Sequence, residues 1–207
     1  MLFRSVPYLP IDPADVGRVY EADVIRINSQ SGKGGIGYVL ETQFNFILPS
    51  KMREVFGYHI KGISDREHRE LSPDEVYSIF LRDFVNLRNK LIVWDATYET
   101  VVAETDTVYG KVDIEYLGKR QMVESMGSGR LDCVSNAIKK FTGRNYSLEN
   151  YVQHALEEKT SSQAASYVCI VENGKSYWGA GTHNDIIISS IWALVSAVNR
   201  LFEREGE

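Results

Sequence analysis

The feature that most narrows the fold is a pattern that occurs twice. "VYGKVDIEYLGKRQMVESMGSGRLDCVSNAIKKF" and "ASYVCIVENGKSYWGAGTHNDIIISSIWALVSAVNRLF" both read strand, Gly-Lys turn, strand, Gly-x-Gly, helix. Alternating apolar residues mark the first strand of each copy: Val112, Ile114 and Tyr116 in one, Tyr167, Cys169 and Val171 in the other. The second strands close on Gly127-Ser128-Gly129 and Gly179-Ala180-Gly181. Apolar helices follow, carried by Leu131, Val134, Ile138 and Phe141, and by Ile187, Ile191, Leu194, Val195 and Val198. "LIVWDATYETVVA" supplies a preceding strand in the first copy. Each sheet has one apolar face to cover, and its own helix does so. The repeat therefore predicts two pseudo-symmetric βββα units over 91–207. Between them "SLENYVQHALEE" reads as a helix capped by Ser147.

Upstream of the repeat the pattern is different. "LSPDEVYSIFLRDFV" carries a capping box, with Ser72 as N-cap, Pro73 in the first turn and Glu75 reaching back. Val76, Ile79, Phe80 and Phe84 form one apolar stripe. A short helix around 50–60 precedes it, across the charged loop "SDREHRE", so 49–90 reads as a helical subdomain. The first region, 1–48, opens on three prolines, with Asp12-Pro13 as a helix start and Val24, Ile25 and Ile27 as a short strand. From Ile36 the spacing of Ile36, Val39 and Leu40 is helical. The whole is an α+β chain: small α/β and helical subdomains, then the repeated units.

Composition and motifs exclude several function classes. A net charge of −5 argues against a broad nucleic-acid surface. No uninterrupted apolar run reaches the length of a membrane span, and the opening "MLFRSVPYLPIDP" has no apolar core of a secretory signal. Cys133 and Cys169 stand far apart without CxxC pairing and read as reduced core residues, so a cytoplasmic protein is expected. His59, His68, His154 and His183 show no metal-ligand spacing, so no metal or other cofactor is expected in this chain. The stretch "NSQSGKGGIGYVLE" resembles a phosphate loop only superficially. Ile27 stands where the first glycine belongs, and Gly34 rather than Ser or Thr follows Lys33.

The paired Gly-x-Gly segments carry more. A strand that runs through bare glycine into a helix exposes backbone N–H groups at a positive helix end, an arrangement suited to a carboxylate. Apolar neighbours could take an aliphatic side chain, and Asp132 or backbone carbonyls could accept from an ammonium. A small amino acid would fit. The same glycines also suit tight helix-on-sheet packing or self-association, and both readings stand open at this point.

"VPYLPIDPADVGRVYEADVIRINSQSGKGGIGYVLE" resembles the segment that follows the catalytic barrel in the 2-isopropylmalate synthase family, and "WGAG…ISSIWALVSAVNRL" is similar to the close of that family's regulatory domain. The resemblance implies a division into linker subdomain I (1–48), helical linker subdomain II (49–90) and a leucine-binding dimerisation domain (91–207). It implies L-leucine as feedback effector and a homodimer as the assembly. Tyr38 would assist catalysis in trans. Gly127, Ser128, Gly129, Leu131, Tyr151, Ala155, Ala164, Ala165, Gly179 and Gly181 would line the leucine site. The family's divalent metal and reacting groups sit in a barrel this sequence does not contain. The chain is therefore expected to be inactive alone, with a separate barrel as a possible partner. Related citramalate and homocitrate synthases leave isoleucine and lysine as alternative effectors, and a purely structural dimerisation module is the other alternative. Where the family often has Gly-Asn-Gly-Pro, this chain has Gly127-Ser128-Gly129-Arg130.

Overall fold

The computed structural model describes residues 33–102, 107–157 and 163–203. The Asp12-Pro13 helix start and the strand at Val24–Ile27 lie outside them. Three helices come first: α1 (Lys33–Phe44), α2 (Ser50–Glu67) and α3 (Pro73–Phe84). Two antiparallel meanders follow, β1 (Leu91–Val102), β2 (Thr107–Tyr116) and β3 (Lys119–Gly127), then β4 (Ser147–Ala155), β5 (Ala164–Glu172) and β6 (Lys175–His183). Each ends in a helix, α4 (Arg130–Thr142) and α5 (Ile186–Glu203). This is the mixed α+β fold with two βββα units that the repeat requires.

The two units turn their hairpins identically. Leu117 and Gly118 have φ of 50° and 78°, and Asn173 and Gly174 have 52° and 74°. Positive φ at both central residues gives the turn whose twist matches that of the flanking strands.

Three expectations need correction. "SLENYVQHALEE" is not a helix. Residues 147–155 form β4, paired with β5 from Ser147↔Val171 to Ala155↔Ala164. Leu148, Tyr151, Val152 and Ala155 do have helical spacing, but the open edge of β5 offers a full ladder of backbone hydrogen bonds, and pairing overrides it. The helix near 50–60 runs on to Glu67, so "SDREHRE" is largely helical and turns only at His68, whose φ is 51°. The helix that the spacing places from Ile36 begins earlier, at Lys33, so Gly34, Gly35 and Gly37 all lie within α1.

The α3 boundary follows the local chemistry. Ser72 accepts from the Glu75 amide while the Glu75 carboxylate accepts from the Ser72 amide. Val76, Ile79, Phe80 and Phe84 are all buried. They meet Met52, Phe56 and Ile60 of α2 and Val39 and Leu40 of α1. That core also includes Ala165, Tyr167 and Cys169 of β5 and Trp178 and Ala180 of β6. The helical layer thus covers one face of the second sheet, and α5 covers the other. A second core joins α4, α5 and the inner faces of both sheets, through residues such as Val112, Ile114, Val134, Val168, Leu194 and Val198. By length and hydropathy α5 could cross a membrane, but 67% of it is buried here as a core helix.

Candidate functional site

Close approach of helix to sheet explains three of the four Gly-x-Gly glycines. A Cβ on Gly127 would overlap the Cys133 amide and the Asp132 carbonyl carbon of α4. A Cβ on Gly179 would overlap Ala193 and Ala197 of α5, and one on Gly181 would overlap Ser189 and Ala193. Gly129 differs. It is the N-cap of α4 with φ of −172°, extended backbone, and none of the described residues beyond its chain neighbours lies within 4 Å of where its Cβ would be.

The helix starts also differ. No side chain caps α4 at Gly129. The Ser128 amide and hydroxyl instead donate to Asp132 Oδ2 at 2.8 and 3.2 Å, which fixes the turn just before the helix. At α5, Asp185 Oδ1 accepts from the Ile187 and Ile188 amides at 2.7 and 3.1 Å. The α4 start is therefore the one with first-turn N–H groups free of a side-chain cap.

A cavity of about 430 Å³ lies beside both helix starts. Arg130 of α4, Asp95 and Tyr98 of β1, and His183 and Asp185 before α5 give its polar groups, together with Arg88 from the segment after α3. Its apolar wall is Ile187, Ile188, Ile191 and Trp192. Arg88 lies 4.2 Å from the Trp192 ring centre, His183 packs edge-on to the same ring, and Arg130 lies 5.5 Å from the Tyr98 ring. Burial pushes the Tyr98 phenol up to about 12, with repulsion from Cys133 next, so it stays a neutral donor. Among the described residues its buried oxygen has no hydrogen-bond partner. Cationic groups, a phenol donor, two carboxylates and a branched aliphatic wall make a small zwitterion with an apolar side chain a chemically suitable occupant.

None of the expected effector residues lines this cavity, although Gly129 and Leu131 flank Arg130 in the chain. Leu131 is partly buried against the second core. Tyr151 is on the edge strand β4, donating to Gln153 Oε1 at 2.6 Å with Ser190 Oγ of α5 at 2.7 Å. Ala155 pairs with Ala164 at the sheet end, and Ala165 faces the helical layer. Tyr38 is exposed on α1. Arg88, Tyr98, Asp185 and Trp192 are not among the residues the sequence marked, and His183 entered only as a metal-ligand candidate. Asp185 alone carried a signal, an Asn-Asp pair ahead of an apolar run, which is an N-cap pattern. Arg88 and Tyr98 come from other elements and could be placed only by the tertiary fold. Among the described residues no group of three or more His, Cys, Asp or Glu could hold a metal ion.

The profile of the LeuA allosteric (dimerisation) domain matches residues 70–202, and that of the alpha-isopropylmalate synthase post-catalytic domain-like family matches residues 2–41. The 2-isopropylmalate synthase of Helicobacter hepaticus is 48% identical over 202 residues, covering 95% of this chain and 36% of its own length. That of Desulfitobacterium hafniense is 46% identical, covering 97% of this chain and 36% of its own length. That of Agrobacterium fabrum is 36% identical, covering 98% and 36%. The chain thus spans little more than a third of the length of these relatives. Two βββα units, each sealed by a helix on bare glycines, and a match running from just before α3 to the last turn of α5 lead to one conclusion: the chain belongs to the LeuA allosteric (dimerisation) domain family.

Proposed function

We propose that this chain is the linker and regulatory part of a 2-isopropylmalate synthase, and that it binds L-leucine as a feedback effector and forms a homodimer. The observation that carries the reading is the cavity shared by both helix starts. The uncapped start of α4 and Arg130 suit the carboxylate, Asp185 suits the ammonium, and Ile187, Ile188 and Ile191 suit a branched side chain. Ser128, Gly129 and Leu131 form the turn that presents α4 to the ligand. Gly127, Gly179 and Gly181 act from behind by letting the helices lie close, Tyr151 with Ala155 and Ala164 borders the α5 side, and Ala165 supports the strand from the helical layer. The condensation itself, with its divalent metal, belongs to the barrel of the full-length relatives. In this proposal 1–48 and 49–90 are linker subdomains, 91–207 is the regulatory domain, and Tyr38 serves a barrel's active site in trans. Inhibition arises because leucine binds one arrangement of the dimer more tightly than another.

Calorimetric titration of L-leucine, L-isoleucine and L-lysine into the 207-residue chain tests the reading. Saturable binding of leucine, with at least tenfold weaker binding of the other two, is expected. Preference for isoleucine or lysine would point to the regulatory domain of a citramalate or homocitrate synthase. A dimer that takes up none of the three would leave a structural dimerisation module.

A further inference from the structure

We infer that the segment joining α3 to β1, residues 85–91, transmits occupancy of the amino-acid cavity to the helical layer, with Arg88 as its sensing contact. This rests on the proposed amino-acid site and adds the route by which that site is read.

The segment touches both ends of that route. Its Arg88 guanidinium forms part of the cavity wall and lies over Trp192 of α5. Among the described residues Arg88 has no carboxylate partner, so a ligand carboxylate would find it uncommitted. On the other side the segment continues directly from α3, whose Phe80 and Phe84 are central to the helical core.

Between these ends the segment is sewn to the regulatory unit by side chains. Val85 makes a parallel bridge to Ala180, and the Asn86 amide donates to the Ala180 carbonyl at 3.0 Å. Asn86 Oδ1 accepts from the Thr182 amide at 2.9 Å, and its Nδ2 lies 3.1 Å from Thr182 Oγ1. The Leu87 amide donates to Ser196 Oγ of α5 at 2.9 Å. Buried Asn199 closes the far end. Its Oδ1 accepts from the Lys90 and Leu91 amides, both at 2.9 Å, and its Nδ2 donates to the Leu87 and Leu91 carbonyls at 3.0 and 2.9 Å. Buried amides and carbonyls satisfied by one side chain are costly to release, so the segment follows α5 and β6 when they shift. Thr182 stands next to His183 of the cavity. A ligand that draws Arg88 or the start of α5 inward therefore displaces the end of α3.

Hydrogen exchange on the 207-residue chain, with and without saturating L-leucine, tests this in the wild type and in Asn86→Gly, Arg88→Met and Arg88→Lys. Glycine suits position 86 because φ there is 53°. In the wild type leucine is expected to slow exchange at least threefold both at 186–192 and at 80–91. Asn86→Gly, which leaves the cavity lining intact, should keep the effect at 186–192 and lose it at 80–84, whereas Arg88→Met should weaken both together and Arg88→Lys should restore part of both. If 80–84 still responds in Asn86→Gly, or does not respond in a wild type whose 186–192 does, the transmission route is overturned while the site survives. If 186–192 does not respond in the wild type, the amino-acid site fails and the route falls with it.

Discussion

Four glycines in two similar motifs turn out to do two different jobs, and substitution should separate them. At Gly181 an added methyl would meet the backbone of α5 at Ser189 and Ala193, so Gly181→Ala is expected to cost about 2–3 kcal/mol of overpacking. At Gly129 the same methyl meets none of the described residues beyond its chain neighbours, and the extended backbone suits any residue. Gly129→Ala should therefore leave the melting temperature within about 1–2 °C, as a surface change of ±0.5 kcal/mol does. If the uncapped start of α4 receives the effector carboxylate, that variant will weaken leucine binding without losing stability. Sequence alone could not divide the glycines, because both roles need the same missing side chain. A second residue-scale outcome comes from comparing the two hairpins. Leu117 stands at φ of 50° and is exposed, while the equivalent turn has Asn173 at 52°. Leucine has no local hydrogen bond to offset a left-handed conformation, and asparagine tolerates it. Leu117→Asn is thus expected to stabilise the chain by about 1 kcal/mol, a rise of roughly 2–4 °C in a thermal melt. An unchanged or lower melting temperature would show that the Leu117 side chain has a compensating contact.

At the scale of elements, legibility followed how local the deciding interaction was. The capping box of α3 uses neighbours three residues apart, and its boundary and buried stripe were readable from "LSPDEVYSIFLRDFV". The hairpins were readable for the same reason. β4 was not, because its partner β5 stands beyond the residues between them and its own side chains are mostly exposed. An edge strand with few buried positions leaves little period-2 signal, and four apolar residues happened to fall at helical spacing. The contact among α2, α3 and α5 was equally hidden. His59 Nε2 of α2 donates to Asp83 Oδ2 of α3 at 2.6 Å, and Arg82 Nε donates to Oδ1 at 2.6 Å. Arg200 of α5 donates to the Asp83 carbonyl and lies 3.5 Å over the Phe84 ring. Burial alone would raise the Asp83 carboxyl, but the hydrogen bonds from Arg82 and His59 outweigh it and hold the group well below the usual carboxylate range. A depressed folded pKa stabilises the fold above the unfolded value, about 3.9, and that contribution is lost as pH falls from there through the still lower folded value. The urea midpoints of wild type and Asp83→Asn should therefore differ most near pH 5–7 and begin to converge below about pH 4. A gap of constant size down to pH 3 would mean that the charge on Asp83 contributes nothing.

The whole molecule is less divisible than its sequence suggests. Composition changes sharply near 86–92, which invites a cut between helical linker and regulatory domain. Yet every residue of β5 from Ala164 to Ile170 is buried, and a strand covered on both faces needs two layers to cover it. On one side it has α5, and on the other α1, α2 and α3, with Tyr167 reinforcing that contact through His154. His154 Nε2 accepts from the Tyr167 hydroxyl at 2.9 Å and from the Ile47 amide at 3.2 Å. A chain cut at residue 91 would bare Ala165, Tyr167, Cys169, Trp178 and Ala180 together and remove the Asn86 clamp from the edge of β6. Removing a whole packed face takes away a large apolar burial, at about 25 cal/mol per Å² of apolar surface, against a total stability of only about 5–15 kcal/mol. Residues 91–207 alone are therefore expected to bind a hydrophobic dye and unfold without a sharp transition, whereas the full chain melts in one. A cooperative, dye-silent 91–207 fragment would show that the regulatory unit folds by itself. The helical layer would then be a separable lever resting on it, joined through the 85–91 segment alone.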